Sequence, residues 1–441
     1  VLKADVVVVA TGGPGLLFRK STNSTFCTGA ANGRLFYQGM KYANGEFIQI
    51  HPTAIPGEDK LRLISESVRG EGGRVWVPGD SSKTMLTPDG REIPCGKTGE
   101  KWFFLEEFYP AFGNLVPRDI GAREVLRVCE KGLGVGGGMQ VHLDVTHLPD
   151  ETIKKLASVL DIYEKFTGDD PTKVPMKIFP AVHYSMGGGW VDWPASEDTD
   201  RWDRFRHMTN LQGCFNVGES DYLYHGANRL GANSLLSCIY GGLVTGQEGS
   251  RYIDSLEQNF DQVEDQVYQK ALEEEESFKE NLMNRNGEEN VHGLHHELSD
   301  ILVQNVTVKR NNEDLAKTYE KIKKIRSRYE NIKLDDTSRF ANQTYIFANQ
   351  FKYMLELALV ITRGALQRNE FRGAHFKPEF PQRDDENWLK TTVATYHKDG
   401  PIIEYEDIDI RHLDPIPRDY TKAKKLKPKL KNIPQNIQLP I

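Results

Sequence analysis

The strongest constraint on the fold of this chain is a run of β-branched residues that leads directly into a glycine turn. Residues Ala4–Ala10 read A-D-V-V-V-V-A, and T-G-G-P-G follows at Thr11–Gly15. Apolar runs of this kind are typical of parallel strands that are buried between helices. The first fifteen residues therefore predict an α/β fold.

Later segments extend this prediction. Residues 214–218 form another candidate strand, and 233–246 carry small and apolar residues without charge, which predicts a helix buried against a sheet. From Glu248 onward acidic and basic residues alternate, and 313–329 and 343–368 have the pattern of long helices. Shorter helices are predicted after Pro117 and over 151–166. Residues 76–117 indicate loops and short strands.

Composition excludes several classes of protein. Hydrophobic residues make up 38% of the 441 residues and charged residues 27%, so large cores can form. The net charge of -7 argues against a nucleic-acid-binding protein, and no apolar stretch approaches the ~18 residues of a membrane span. The five cysteines form no C-x-x-C pair, which indicates reduced thiols in a cytosol-facing compartment.

Several short motifs place polar side chains where chemistry is possible, although each also has a plain structural explanation. Glu66 and Arg69 lie three residues apart before a glycine cluster, as an ordinary surface ion pair would. Arg118 and Asp119 follow Pro117 at a helix start, where a capping role is possible. His183 ends an apolar strand before three glycines, where a histidine is often structural.

The most specific stretch lies near the second strand. Gly218 and Glu219 end this strand, and the carboxylate could hold a ribose hydroxyl. A polar loop containing Arg229 then leads into the small-residue start of a helix, whose N–H groups suit an anion. Packing alone does not require an arginine in that loop, so this stretch indicates a functional site.

Taken together, these motifs resemble the flavoprotein subunit of succinate dehydrogenase and fumarate reductase, in the order and spacing of that family. The resemblance extends to residues 383–389. The residues at 47–52 and 165–171 are similar to those of the bacterial branch that pairs with a di-haem cytochrome b. The motifs are H-P-T at 51–53, S-E-S-V-R-G-E-G-G at 65–73, P-R-D at 117–119, H-Y-S-M-G-G at 183–188 and H-G-A-N-R-L-G-A-N-S-L at 225–235.

The resemblance implies a partial α/β FAD-binding (Rossmann-like) domain with an inserted α+β capping domain and a C-terminal helical domain. The predicted boundaries are 1–50 and 176–247 for the FAD-binding domain, 51–175 for the capping domain, 248–372 for the helical domain and 373–441 for a C-terminal extended segment. The family's first strand, its G-x-G-x-x-G turn and its flavin-linked histidine are absent, so we expect an N-terminally truncated chain. Ala30 stands where many relatives carry an aspartate that contacts FAD.

The resemblance also implies roles for individual residues. Succinate and fumarate are dianions, which need cations and hydrogen-bond donors at both ends. A hydride moves between flavin N5 and one central carbon, and a proton moves on the other face. One substrate carboxylate is assigned to Arg229 and His183 and the other to His51 and Ser65, while the proton path is assigned to Arg118, Glu66 and Arg69.

The same resemblance implies a cofactor and partners. FAD is assigned to Thr11, Gly12, Glu219, Ser234 and Leu235. An iron–sulfur subunit is expected to take the electrons and to link the chain to a membrane cytochrome b subunit, which would place the chain peripherally at the cytoplasmic face of the cell membrane. No metal site is predicted. L-aspartate oxidase, which shares most of these motifs, and a non-catalytic gene fragment remain alternatives.

Two further features have more than one explanation. His292, His295 and His296 could ligate a metal, although no acid or cysteine is spaced with them, and a solvated helix face is the favoured interpretation. The six lysines between Lys422 and Lys431 could contact anionic lipid or a partner subunit, or form a flexible tail.

Overall fold

The computed structural model describes residues 2–57, 60–194, 203–416, 418 and 420, so the lysine cluster at 422–431 lies outside the described residues. The strands are β1 (Val7–Val9), β2 (Tyr42–Ala43), β3 (Ile48–Ile55), β4 (Arg62–Leu63), β5 (Arg74–Pro78), β6 (Asp80–Leu86), β7 (Glu92–Cys95), β8 (Lys101–Trp102), β9 (Val141–Asp144), β10 (Met176–Ser185), β11 (Gly188–Gly189), β12 (Cys214–Asn216), β13 (Lys390–Thr395) and β14 (Ile402–Asp407). The helices are α1 (Ala30–Tyr37), α2 (Ser67–Gly70), α3 (Phe104–Phe108), α4 (Arg118–Val128), α5 (Asp150–Thr167), α6 (Asn233–Asp254), α7 (Asp265–Met283), α8 (Val291–Asn305), α9 (Asn312–Tyr329), α10 (Gln343–Gln367) and α11 (Asp385–Trp388).

The two strands predicted for the FAD-binding domain pair with each other. β1 and β12 are parallel, with Val7 opposite Cys214 and Val9 opposite Asn216, as the β-branched pattern predicts. However, Val7 and Val8 are 52% and 50% exposed, so the prediction of a fully buried strand is wrong. In the described part of the chain this sheet has only two strands, and the exposed Val7 and Val8 point to opposite faces of it, so neither face is fully covered at these positions.

The predicted helix over 233–246 is confirmed as α6, but its predicted burial holds for one face only. That face packs Ser237, Gly241 and Val244 inward. The opposite face is apolar and 60–72% exposed, because the two-stranded sheet covers a single side of the helix. The exposed side chains are Leu235, Leu236, Ile239 and Leu243.

A six-stranded sheet in the order β4-β3-β10-β9-β5-β8 supports the candidate site. β3 and β10 run antiparallel with Ala181 opposite His51. α4 lies across β3 so closely that a Cβ atom on Gly121 would be 3.4 Å from Cγ of Pro52. Because β3 spans 48–55, this sheet runs across the predicted boundary at residue 50, and the domain boundaries stay predictions.

The predicted long helices are confirmed as α9 and α10. They pack with α7 and α8 around a shared apolar core that includes Leu298, Ile322 and Phe351. No helix among the described residues combines the length and apolarity needed to cross a membrane. From residue 373 the chain passes through α11 into the β13–β14 hairpin, whose strand β13 pairs with β2 near the N-terminus.

Arg368 ties the end of α10 to this hairpin. It is fully buried, its Nε donates to Glu46 Oε1 at 2.7 Å, and its Nη1 donates to Glu370 Oε1 at 2.8 Å. Its remaining donors reach two backbone carbonyls and the Thr392 hydroxyl. A buried charge is tolerated only when it is paired in this way.

The remaining predictions concern cysteines and histidines. All five cysteines are unpaired, as predicted. His292 and His296 are exposed, but the solvated-face interpretation is wrong for His295, which is buried with Nε2 2.8 Å from the carbonyl oxygen of Leu16. The 3.6-residue helical period turns His295 toward the core while its neighbours face solvent. The described residues contain no cluster of three His, Cys, Asp or Glu that could hold a metal.

Candidate active site

Two arginines share one carboxylate at the start of α4. Pro117 precedes the helix and fixes the position of Arg118, whose Nε donates to Glu66 Oε2 at 2.9 Å. Arg69 donates from Nη2 to the other oxygen of Glu66 at 2.9 Å. The carbonyls of Asn114 and Val116 also hold Arg69, and burial lowers its pKa. Glu66 thus lies between two nearly buried guanidinium groups. This arrangement differs from the ordinary surface ion pair that could also explain the spacing of Glu66 and Arg69.

Two histidines face each other on adjacent strands. The rings of His51 on β3 and His183 on β10 are 5.0 Å apart between centroids, nearly edge to face. Burial, followed by the charge of Arg118, lowers the pKa of His51 well below its ordinary value, and burial with Arg118 and Arg229 lowers the pKa of His183 to about 3. Both imidazoles are therefore neutral near pH 7 in the free site.

Each histidine nitrogen that faces away from the site has a hydrogen-bond partner. The hydroxyl of Thr22 lies 2.7 Å from His183 Nδ1, and the backbone N–H of Thr53 donates to His51 Nδ1 at 3.3 Å. When Nδ1 accepts a hydrogen bond, the proton of a neutral imidazole stands on Nε2. Nε2 of His51 is buried and has no partner among the described residues.

Arg229 approaches this group from the loop before α6. Its side chain is buried, and its guanidinium carbon lies 4.5 Å from the ring centroid of Tyr184. Burial, followed by the charge of Arg118, lowers its pKa. Like His51 Nε2, its buried Nε has no partner in the described part of the chain.

Gln49 also belongs to this group of side chains, although its sequence position pointed to the family only as part of the segment 47–52. This fully buried side chain accepts a hydrogen bond from Arg118 Nη1 at 3.1 Å and donates to the carbonyl of Arg229 at 2.6 Å. Residues two apart on a strand share a face, so its position before His51 was a usable signal. The sequence motifs also did not predict Thr22 as a site residue, and no local sequence signal points to it.

Ser65 is the least engaged of the predicted substrate residues. It immediately precedes Glu66, is partly exposed, and accepts a hydrogen bond from the hydroxyl of Ser67 at 2.8 Å. Among the described contacts, it makes no hydrogen bond to His51, His183 or Arg229. Direct contacts therefore join Arg118, Glu66 and Arg69 in one group and His51 with His183 in another, and Gln49 connects Arg118 to the backbone of Arg229.

Among the predicted cofactor residues, Glu219 lies against the glycine turn that follows β1. A Cβ atom on Gly13 would lie 2.6 Å from Glu219 Oε1, so a side chain at this position would displace the carboxylate. Burial raises the pKa of Glu219 to about 7, although the backbone N–H of Ser185 donates to it at 3.0 Å. α6 begins at Asn233, whose N–H donates to the carbonyl of Leu230 at 3.4 Å; no side chain in the described part of the chain caps this helix start, which leaves the N–H groups of Ser234 and Leu235 available to a ligand.

Comparisons with known proteins define the class of protein first. A family model described as FAD binding domain matches residues 1–235, and one described as fumarate reductase flavoprotein C-term matches residues 295–420. The uncapped helix start, the glycine turn and the partly buried carboxylate of Glu219 fit one side of such a dinucleotide. The fold and the site are therefore those of an FAD-dependent flavoprotein, and FAD is its cofactor.

Individual relatives then identify the family. The succinate dehydrogenase flavoprotein subunit of Bacillus subtilis is 49% identical over 96% of this chain and 68% of its own length. The fumarate reductase flavoprotein subunit of Serratia is 30% identical over 95% of this chain and 67% of its own length. A solved quinol fumarate reductase chain of Escherichia coli is 28% identical with a TM-score of 0.77, over 96% of this chain and 68% of that one.

The chain belongs to the flavoprotein subunits of succinate dehydrogenase and fumarate reductase, oxidoreductases that act on the succinate–fumarate couple. This confirms the family, fold class, activity and cofactor that the motifs predicted.

Proposed function

We propose that the pocket between β3, β10, α4 and the loop of Arg229 binds succinate or fumarate as a dianion. The observation that carries this proposal is the pair of buried nitrogens without partners, His51 Nε2 and Arg229 Nε. A buried donor left unpaired costs ~1–3 kcal/mol, and a dicarboxylate supplies acceptors for both. Arg229 with His183 would hold one carboxylate, and His51 with Ser65 the other.

Arg118 would carry the proton in this reaction. An arginine is normally always charged, so it needs a nearby base that can share its proton. Glu66 meets this need, since it receives Arg118 Nε at 2.9 Å and Arg118 Nη2 at 2.8 Å. The nearly buried Arg69 holds the other oxygen of Glu66 and completes the proton relay, and the proton can exchange with solvent at Glu66, whose side chain is 35% exposed.

The cofactor would lie on the β1–α6 side of the pocket. FAD supplies the acceptor or donor of the hydride when it is bound. Thr11 and Gly12 in the glycine turn, Glu219, and Ser234 with Leu235 at the start of α6 would hold it. Glu219 would accept from a ribose hydroxyl, because a partly buried carboxylate gains from such a donor.

Electron transfer requires partners that this chain does not supply. A two-electron hydride carrier needs a one-electron acceptor, and the sequence has no cysteine pattern for an iron–sulfur cluster. Two solved relatives are titled quinol fumarate reductases. We infer an iron–sulfur subunit next to this chain and, through it, a membrane cytochrome b, with the chain at the cytoplasmic face of the membrane.

The alternative substrate, L-aspartate, adds an ammonium group that needs an acceptor. The nearby acceptors are already engaged, because Glu66 pairs with two arginines and Gln49 Oε1 receives Arg118. An ammonium would meet cations and donors instead. We therefore expect succinate oxidation with an artificial acceptor, inhibition by malonate and negligible turnover of L-aspartate; faster turnover of aspartate would favour L-aspartate oxidase.

Paired arginine variants of the complete flavoprotein test the assignment. Arg118→Ala should lower kcat by ~10²–10⁴-fold with flavin content and malonate binding nearly intact, as expected for a general acid or base. Arg229→Ala should also weaken malonate binding, because it removes a substrate anchor. Arg127→Ala on the same helix, whose partner Glu124 is outside the site, is the matched control. A raised KM with unchanged kcat in Arg118→Ala would refute the proton-transfer role.

A further inference from the structure

The C-terminal part of the chain returns to the start of α4. Arg418 donates from Nη1 to Asp119 Oδ2 at 3.1 Å and from Nη2 to Asp119 Oδ1 at 3.0 Å, a two-point pair. Two residues later, the ring of Tyr420 packs against Phe112 with centroids 5.2 Å apart. Upstream, Arg383 donates to the carbonyl of Ile416. We name Ile416, Arg418 and Tyr420 the C-terminal strap.

Asp119 is a buried junction. Besides Arg418, it accepts from Arg123 Nη1 at 3.3 Å and from Asn228 Nδ2 at 3.1 Å. Burial raises the pKa of Asp119, but the guanidinium groups of Arg123 and Arg418 outweigh this effect and hold the pKa below its ordinary value. A carboxylate with this many donors fixes the relative positions of the elements that supply them.

Asp119 and its partner Asn228 are each adjacent in sequence to an arginine of the proposed substrate site. Asp119 directly follows Arg118, and Asn228 directly precedes Arg229. Asn228 Oδ1 also accepts from Gln49 Nε2 at 3.1 Å, and Gln49 in turn receives Arg118 at 3.1 Å. A continuous path of hydrogen bonds therefore leads from the C-terminal strap to the proton-carrying arginine.

We propose that Arg418 is a positioning residue, which through Asp119 and Asn228 aligns Arg118 and the loop of Arg229 with the substrate. The inference rests on the proposed function of those two arginines. Arg418 contacts neither substrate nor the reacting atoms, so its effect passes through Asp119. Misplacement of a catalytic group by ~1 Å can cost about 100-fold in rate, which sets the scale of the expected effect.

The test uses Arg418→Gln in the complete, FAD-containing flavoprotein, with succinate, an artificial acceptor and turnover normalised to bound flavin. We expect kcat to fall by ~10–100-fold, because that is the range up to a 1 Å misplacement. The solvent isotope effect on kcat should increase, since proton transfer becomes more limiting. Arg418→Lys, which keeps the charge but not the two-point pair, should give an intermediate kcat. Arg411→Gln in the same segment, where Arg411 pairs with the exposed Asp409, is the matched control and should keep the wild-type kcat.

A second substitution separates positioning from general stability. Asp119→Asn should lose at least as much turnover as Arg418→Gln, because Asp119 also accepts from Arg123 and Asn228, and the double variant should be no worse than Asp119→Asn, because Arg418 acts through Asp119. Wild-type kcat and isotope effect per flavin in Arg418→Gln or Arg418→Lys would overturn the inference. Arg118→Ala in the same assay tells this outcome apart from a failure of the proposed function. If the Arg418 variants behave like the wild type and Arg118→Ala lowers turnover, the inference falls while the proposed function stands. If Arg118→Ala does not lower turnover, the proposed function itself fails.

Discussion

Thr22→Val tests how the site holds a neutral histidine ready for an anion. The substitution keeps the β-branched shape and removes the hydroxyl that lies 2.7 Å from His183 Nδ1. A neutral hydrogen bond contributes ~1 kcal/mol, and the buried nitrogen left unpaired costs ~1–3 kcal/mol. Because His183 is only partly buried, we expect the lower part of this range, about 1–2 kcal/mol, which corresponds to ~5–30-fold in affinity.

The assay is the KM for succinate and the inhibition constant for malonate, measured on the complete flavoprotein with an artificial acceptor. Both constants should rise together while kcat changes little, since the hydrogen bond orients a binding group and not the proton carrier. Thr307→Val, which removes a hydroxyl that donates to the carbonyl of Val303 in α8, is the control. An unchanged inhibition constant, or a loss confined to kcat, would refute the reasoning.

The pH dependence gives a second check on His183. Burial and two arginines lower the pKa of this residue to about 3, so the free enzyme carries a neutral imidazole throughout the usual assay range. The profile of kcat/KM reports the free enzyme. Since His183 does not titrate near pH ~6.5, the His183→Gln variant and the wild type should have profiles of the same shape around that pH. The unfolded chain binds this proton below pH ~6.5 and the folded chain does not, so stability should fall as the pH drops from there toward 3, and less steeply in the variant.

Two further predictions concern the cofactor and the fold. Gly13→Ala would place a Cβ atom 2.6 Å from Glu219 Oε1, so the flavin-to-protein ratio should fall, while Gly246→Ala, with open space at the Cβ position, should keep it; equal ratios would contradict the assigned contact. Arg368→Met would leave the fully buried Glu46 without its cation and would remove one of the two arginines that pair with the fully buried Glu370, which should cost ~3–5 kcal/mol in urea-induced unfolding. Arg339→Met, which removes an exposed pair, should change stability by less than ~1 kcal/mol, and a similar loss in both variants would refute the difference.

Local sequence determined the elements and the chemical types in the site. The β-branched run predicted β1, Pro117 predicted the start of α4, and the helical patterns of 313–329 and 343–368 predicted α9 and α10. These signals are local, because they depend on side-chain period, on the fixed φ of proline and on capping. The order and spacing of the motifs also identified the family and its cofactor before any contact was known.

Tertiary structure alone decided which of these side chains meet. Gln49 and Arg118 are 69 residues apart, Thr22 and His183 are 161 apart, and Asp119 and Arg418 are 299 apart. Local sequence also overestimated the burial of β1 and α6, because an apolar pattern does not say how many other elements will pack against the strand or helix. Periodicity in the sequence tells which face of an element is apolar or polar, whereas strand register and helix packing choose the partner that this face contacts.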